Sequence, residues 1–291
     1  MLTFCNFGEH QLVEAHDLGI DGIRCDVPVE GDLVPFVRQF AGSPVMAAFL
    51  LHDPGRISDL LAAIRTVQIP DEQTAIEVFN EPPDKDDVDR EDYIGGVLDV
   101  WEECQHRNYG GTVIAGAQKN LSAESMRWYR DTVRHLPDTI TVACHDYPWG
   151  LQVTDLPWPP PLELWNPGDG PMTHQRAIDN LRTITGARPL VCSEVGRHMA
   201  PELTGHPAVQ VTLTEDWIYW WLIDRLRFYA ANNFVWTAVY QWSDDARYPG
   251  TSEGMYGIHT APPAGQSLGQ RKRQAYALSD WTRLRSRTWA A

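Results

Sequence analysis

The chain has 291 residues and carries 39 acidic against 24 basic side chains, a formal net charge of −15. This balance argues against nucleic acid or an anionic membrane as partner, because basic patches hold both, and no uninterrupted apolar run reaches the ~20 residues of a membrane span. With 43% hydrophobic residues the chain can bury one large core, and a single α/β barrel reaches this size.

In chain order, short runs rich in Val, Ile and aromatic residues predict eight strands, at 2–6, 22–27, 45–51, 74–80, 112–117, 139–145, 189–194 and 234–242. Segments of helical period fill the intervals. "ISDLLAAIRTV" (57–67) and "EDYIGGVLDVWEECQHR" (91–107) repeat apolar residues every three or four positions, the second after an acidic first turn. "SAESMRWYRDTVRHL" (122–136) opens on a Ser-x-x-Ser capping turn, and "TEDWIYWWLIDRLRFYAANN" (214–233) is Thr-capped, long and apolar. One helix is expected after each strand.

Spacing supports the same count. Arg24, His52 and Asn80 follow one another at 28-residue steps, as do Ala117 and His145. A constant step sets each residue at the equivalent point of successive βα units, near the carboxyl end of a strand. The expected fold is a (β/α)8 TIM barrel, one domain over residues 1–291, with its site at that face. Two connections are longer, "PWGLQVTDLPWPPPLELWNPGDGPMT" (148–173) after strand six and "GRHMAPELTGHPAVQVTL" (196–213) after strand seven. Loops of such length are commonly functional. The "RKR" at 271–273 reads as a solvated helix start.

Five widely spaced cysteines, Cys5, Cys25, Cys104, Cys144 and Cys192, form no Cys-x-x-Cys pair and sit mostly in apolar runs. They read as buried free thiols. "MLTFCNFGEH" lacks a basic n-region and a long apolar stretch, so no signal peptide is visible; a chain whose signal had been removed would look the same.

One segment, "AIEVFNEPPD" (75–84), runs a buried strand straight into an amide, a carboxylate and two prolines. Leaving Asn80 and Glu81 buried and unpaired would cost on the order of 2–7 kcal/mol per group. In a barrel, however, the tip of a strand is the floor of a cleft. The polar strand ends together are Arg24, His52 with Asp53, Asn80 with Glu81, His145 with Tyr147, Glu194 and Trp242. Two glutamates at the ends of strands four and seven suit chemistry that needs one protonated and one ionised carboxyl, as retaining glycoside hydrolysis does. Arg24 is suited to hold one of them ionised.

"FNEP" and "SEVG" resemble the two catalytic glutamate motifs of glycoside hydrolase clan A, the retaining (β/α)8 glycosidases. Arg24, His52, Asn80, Glu81, His145, Tyr147, Glu194 and Trp242 together resemble the residue set of family 5, the cellulase and mannanase family, and the His-x-Tyr of "CHDY" favours that family. The resemblance implies Glu81 as acid/base, Glu194 as nucleophile, Asn80 on the 2-hydroxyl of the cleaved sugar and Tyr147 donating to the nucleophile. It further implies that Arg24 orients Glu194, that His52 and His145 bind hydroxyls or steady the carboxylates, and that Trp242 is the sugar platform. Trp149, with Trp158 and Trp165, is a further platform candidate on the sixth loop. The implied substrate is a soluble β-linked oligo- or polysaccharide, with no cofactor and no metal.

Other polar residues read more plainly. Glu77 lies on the Glu81 face by the two-residue period and is expected to pair with Arg24 inside the barrel. Asp26 is expected to cap the next turn and Asp146 to point away from the site. His106, His135, His174 and His259 are expected at the surface, while His198 and His206 lie on the seventh loop. Two other readings stay open. One is a non-catalytic carbohydrate-binding barrel. The other is a metal-dependent hydrolase built on His52, Asp53, His145 and Glu194, although no His-x-His or His-Glu-x-x-His pair supplies adjacent ligands.

Overall fold

Residues that alternate between two apolar environments build the sheet. β1 (Leu2–Asn6), β2 (Gly22–Asp26), β3 (Met46–Leu51), β4 (Thr74–Val78), β5 (Thr112–Ala115), β6 (Thr141–Asp146) and β7 (Leu190–Val195) run parallel. The two-residue strands β8 (Glu202–Leu203) and β9 (Gln210–Val211) pair antiparallel outside the barrel. β10 (Trp236–Val239) lies between β7 and β1 and closes an eight-stranded barrel. The computed structural model describes residues 1–6, 11–82, 86–147, 174–196, 202–203, 210–211, 215–247, 256–264, 266 and 269–288.

The helices are α1 (Leu12–Asp17), α2 (Val34–Arg38), α3 (Ile57–Val67), α4 (Arg90–His106), α5 (Ala123–Val133), α6 (His174–Thr185), α7 (Glu215–Ala231) and α8 (Arg273–Thr288). α3 has the expected bounds. α4 is capped by the Asp89 carboxylate on the Asp92 N–H, and α5 by the Ser122 hydroxyl on the Ser125 N–H. α1 and α2 have six and five residues, too few to display a period. No helix among the described residues is long and apolar enough to cross a membrane.

Outward strand residues such as Ile23, Phe49, Ile76 and Val142 pack with the helices in one continuous core. Inward residues form a second, smaller cluster of Phe4, Ile114, Val191 and Trp236 with alanines 48, 75, 117, 143 and 238. The Phe4 and Trp236 rings stack at 4.6 Å. Gly22 is required beside them, since a Cβ there would overlap the Phe4 ring. Above this apolar floor lies the polar mouth. All five cysteines are buried and free, as the sequence suggests.

The basic triplet at 271–273 is less solvated than expected. Lys272 is buried, with Nζ 2.5 Å from Asp244, while Arg271, paired with Glu14, and Arg273 are exposed.

Candidate active site

β4 ends two residues earlier than its apolar pattern suggests because the backbone turns left-handed at Phe79 (φ 66°) and again at Glu81 (φ 52°). Main-chain bonds to both neighbouring strands fix this turn. Phe79 N–H donates to the Leu51 carbonyl at 2.8 Å and Glu81 N–H to that of Ala117 at 2.9 Å. Gly116 makes the approach possible, because a Cβ there would overlap the Phe79 carbonyl. Asn80 and Glu81 are thereby buried at the mouth with their peptide groups paired.

Arg24, buried midway along β2, joins three polar side chains. Nε lies 2.6 Å from Glu77 Oε2, Nη2 lies 3.2 Å from Glu77 Oε1 and 3.1 Å from Asn80 Oδ1, and Nη1 lies 2.9 Å from Glu194 Oε1. Burial works against the guanidinium charge, but the carboxylates of Glu77 and Glu194 outweigh it and hold the group above the usual arginine range. A planar fork satisfies this geometry, and a lysine would not. Glu77 is thus internal support, as its position on the strand predicts.

A register shift between β6 and β7 sets His145 opposite Glu194. Irregularities of this kind re-aim side chains next to active sites. His145 Nδ1 is 2.8 Å from Glu81 Oε1 and 3.6 Å from Glu194 Oε2. The Tyr147 hydroxyl donates to Glu194 Oε2. Burial, then the negative charge of Glu194, raises the Tyr147 phenol well above its ordinary range and keeps it a neutral donor.

Glu81, His145 and Glu194 can each present one ligand atom, all within 4.8 Å of one another. The set does not suit a divalent cation. Glu194 already receives Arg24 and Tyr147, and the fixed positive charge 2.9 Å from its carboxylate repels a dication.

His52 is half-buried at the rim between two aspartates, with Nδ1 2.8 Å from Asp86 and Nε2 3.4 Å from Asp26. Its pKa is pushed up to about 9 by the contacts with Asp26 and Asp86 against the opposing effect of burial. Asp26 therefore faces an imidazole across the rim, where the sequence suggests a turn cap. Asp86 also accepts the Asn80 N–H, so it ties His52 to the backbone of the Asn80–Glu81 turn. Within the acidic run "DKDDVD" it reads only as a solvated charge, and no sequence signal singles it out.

Trp242 is buried, its ring tilted against that of His259 with centroids 4.7 Å apart. His259 is a correction to the surface reading: it is fully buried, with Nδ1 3.1 Å from the Trp242 carbonyl oxygen and Nε2 3.3 Å from Glu14. The aromatic rings beside the Tyr147–Glu194 pair are Tyr240, 5.8 Å from Tyr147, and Tyr256, 5.6 Å from it. The alternation Trp236, Ala238, Tyr240 along β10 would have pointed to Tyr240. Tyr256 follows no strand and carries no such signal.

Asp146 faces the helices, accepting from the Tyr229 hydroxyl at 2.6 Å. His106 and His135 are exposed. Trp149, Trp158, Trp165, His198 and His206 lie outside the described residues, as does the side chain of His174.

No protein-family model matches the sequence, and no curated protein is significantly similar to it. Solved structures share the fold at low identity. A glycoside hydrolase family 17 β-1,3-glucanosyltransferase from Rhizomucor miehei has a TM-score of 0.62 at 13% identity, over 92% of this chain and 98% of that one. A family 128 endo-β-1,3-glucanase from Sorangium cellulosum has a TM-score of 0.59 at 13% identity, over 96% and 98%. An exo-β-1,4-mannosidase from Opitutaceae bacterium strain TAV5 has a TM-score of 0.62 at 13% identity, over 99% of this chain and 60% of that one.

Proposed function

We propose that the chain is a retaining glycoside hydrolase of clan A, most like family 5, that cleaves β-linked bonds in soluble oligo- or polysaccharides, with residues 1–291 acting as one catalytic domain. One observation carries the reading. Two buried glutamates share the Nδ1 edge of His145, and one of them also receives Arg24 and the Tyr147 hydroxyl.

That asymmetry supports a division of roles between them. Glu194 accepts two donors, one of them a fixed cation, so it is the ionised nucleophile that attacks the anomeric carbon. Glu81 is the acid that gives its proton to the leaving oxygen. It then takes a proton from the water that opens the glycosyl–enzyme ester. A carboxylate oxygen of Glu81 and one of Glu194 lie within 4.8 Å of each other, a close approach of the kind that retaining enzymes use. Asn80, its Oδ1 held by Arg24, presents its Nδ2 to the 2-hydroxyl. His52 binds hydroxyls at the rim, and Tyr240 with Trp242 and Trp149 supplies aromatic surface to the C–H face of the sugar. The glucanase and mannosidase activities in the names of the structurally similar proteins agree with a carbohydrate substrate.

Glu194→Ala should abolish turnover of an activated aryl β-glycoside, and azide should restore it with an α-glycosyl azide as product. Glu81→Ala rescued by azide should give the β-anomer instead. Unaltered turnover in either variant would sink the assignment. Binding of oligosaccharides by the native chain with no bond cleaved would instead favour a non-catalytic carbohydrate-binding barrel.

A further inference from the structure

We propose that Asn6, at the carboxyl end of β1, is a further substrate-binding residue that takes a pair of adjacent sugar hydroxyls; the inference rests on the glycosidase reading above. Alternation along β1 directs Leu2 and Phe4 into the barrel, and Asn6 continues that face one step higher, at the level of the mouth. It stands in register with Arg24, the residue that holds Glu77, Asn80 and Glu194. Its carbonyl oxygen accepts the Trp242 N–H at 2.9 Å, which fixes its backbone to the chain leaving β10.

The side chain is as buried as the two glutamates, yet neither Nδ2 nor Oδ1 has a hydrogen-bond partner among the described residues. Buried amides are otherwise almost always paired. The floor beneath offers nothing: it consists of the stacked Phe4 and Trp236 rings and of Gly22. Asn80, a second amide of the mouth, already has its acceptor engaged by Arg24. A partner for Asn6 therefore comes from the cleft.

An amide with both ends free offers one donor and one acceptor on the same side. Two neighbouring hydroxyls match it, one accepting from Nδ2 and the other donating to Oδ1. In the barrel order β1 is two strands from β7, through β10, and three from β4, so Asn6 lies on the side of the nucleophile rather than of the acid. The hydroxyls it takes belong to the sugar that becomes bonded to Glu194, and Asn6 selects for a vicinal diol there.

The test uses Asn6→Leu, an apolar side chain of similar size, assayed beside the native protein on dinitrophenyl β-glycosides of glucose, mannose and their disaccharides, and on monodeoxy congeners of the best substrate. The expected result is a fall of about 10- to 100-fold in kcat/KM on the full substrate. On the congener that lacks a contacted hydroxyl, the native protein should already show that loss and leucine should add little. Asn6→Ser serves the same cycle where the leucine variant does not fold. A native protein inert on every glycoside removes the glycosidase reading and the inference with it. An active native protein matched by Asn6→Leu on every substrate overturns the inference alone and leaves Asn6 satisfied by a trapped water.

Discussion

Arg24 on β2 donates from Nη1 to Glu194 Oε1 on β7 at 2.9 Å, joining across the barrel two residues 170 positions apart. The same guanidinium holds Glu77 through Nε and Nη2, so one cation sits between two buried carboxylates. Arg24→Lys keeps the charge but serves at most part of this set. We expect kcat to fall roughly 100-fold with KM little changed, and unfolding stability to fall by about 3–5 kcal/mol as a buried carboxylate loses its partner. Steady-state kinetics with urea unfolding of the same preparation checks both.

Glu77→Gln separates support from chemistry. It retains the shape while removing one charge, so activity and stability should both decline, and azide should restore neither. Azide rescue of this variant would move Glu77 into the reacting set.

The His52 imidazole carries a pH prediction. Its pKa is about 9 in the folded chain against an ordinary 6.5, because Asp26 and Asp86 favour the charged form. The resulting stability is fully present below about pH 6.5 and is lost as pH rises through 9, on the order of 1–3 kcal/mol in all. Unfolding free energies measured at pH 6 to 10 should fall across that window, and His52→Gln should flatten the fall. An unchanged slope in the variant would assign the loss to another group.

Gly116→Ala tests the frame around Glu81. The added methyl meets the Phe79 carbonyl, which must move together with the turn that carries Asn80 and Glu81. A loss of about 1–3 kcal/mol is expected, accompanied by a drop in kcat. Thermal melts and kinetics that match the native protein would show that the turn is not so constrained.

The two aromatics at the end of β10 should behave differently. Trp242 is buried on His259, so Trp242→Ala should cost about 3–5 kcal/mol of stability. Tyr240 is partly open beside Tyr147, so Tyr240→Ala should chiefly raise KM. Reversal of these effects would return the platform to Trp242 alone.

The barrel is legible because strand patterning and the 28-residue step both repeat with the βα unit, and the residues at strand tips follow from it: Arg24, Asn80, Glu81, His145, Tyr147 and Glu194 do converge. What escapes the sequence is decided by tertiary contact. Asp86 differs from its acidic neighbours only through meeting His52 and the Asn80 N–H. His259 is drawn inward by Trp242, 17 positions before it, and by Glu14, 245 positions before it. α1 and α2 are too short for a period to emerge. Asn6 ends a strand whose last residue looks like a turn former.

Glu81 occupies a left-handed backbone position, φ 52°, that a glutamate adopts only when its surroundings impose it. On the role proposed for Glu81, catalytic competence and folding pull against each other at this site. Glu81→Gly relieves the dihedral and removes a buried carboxylate, and it should melt at a higher temperature than the native chain while turning over nothing. Such an inert, more durable variant is the form in which to capture the uncleaved natural glycan.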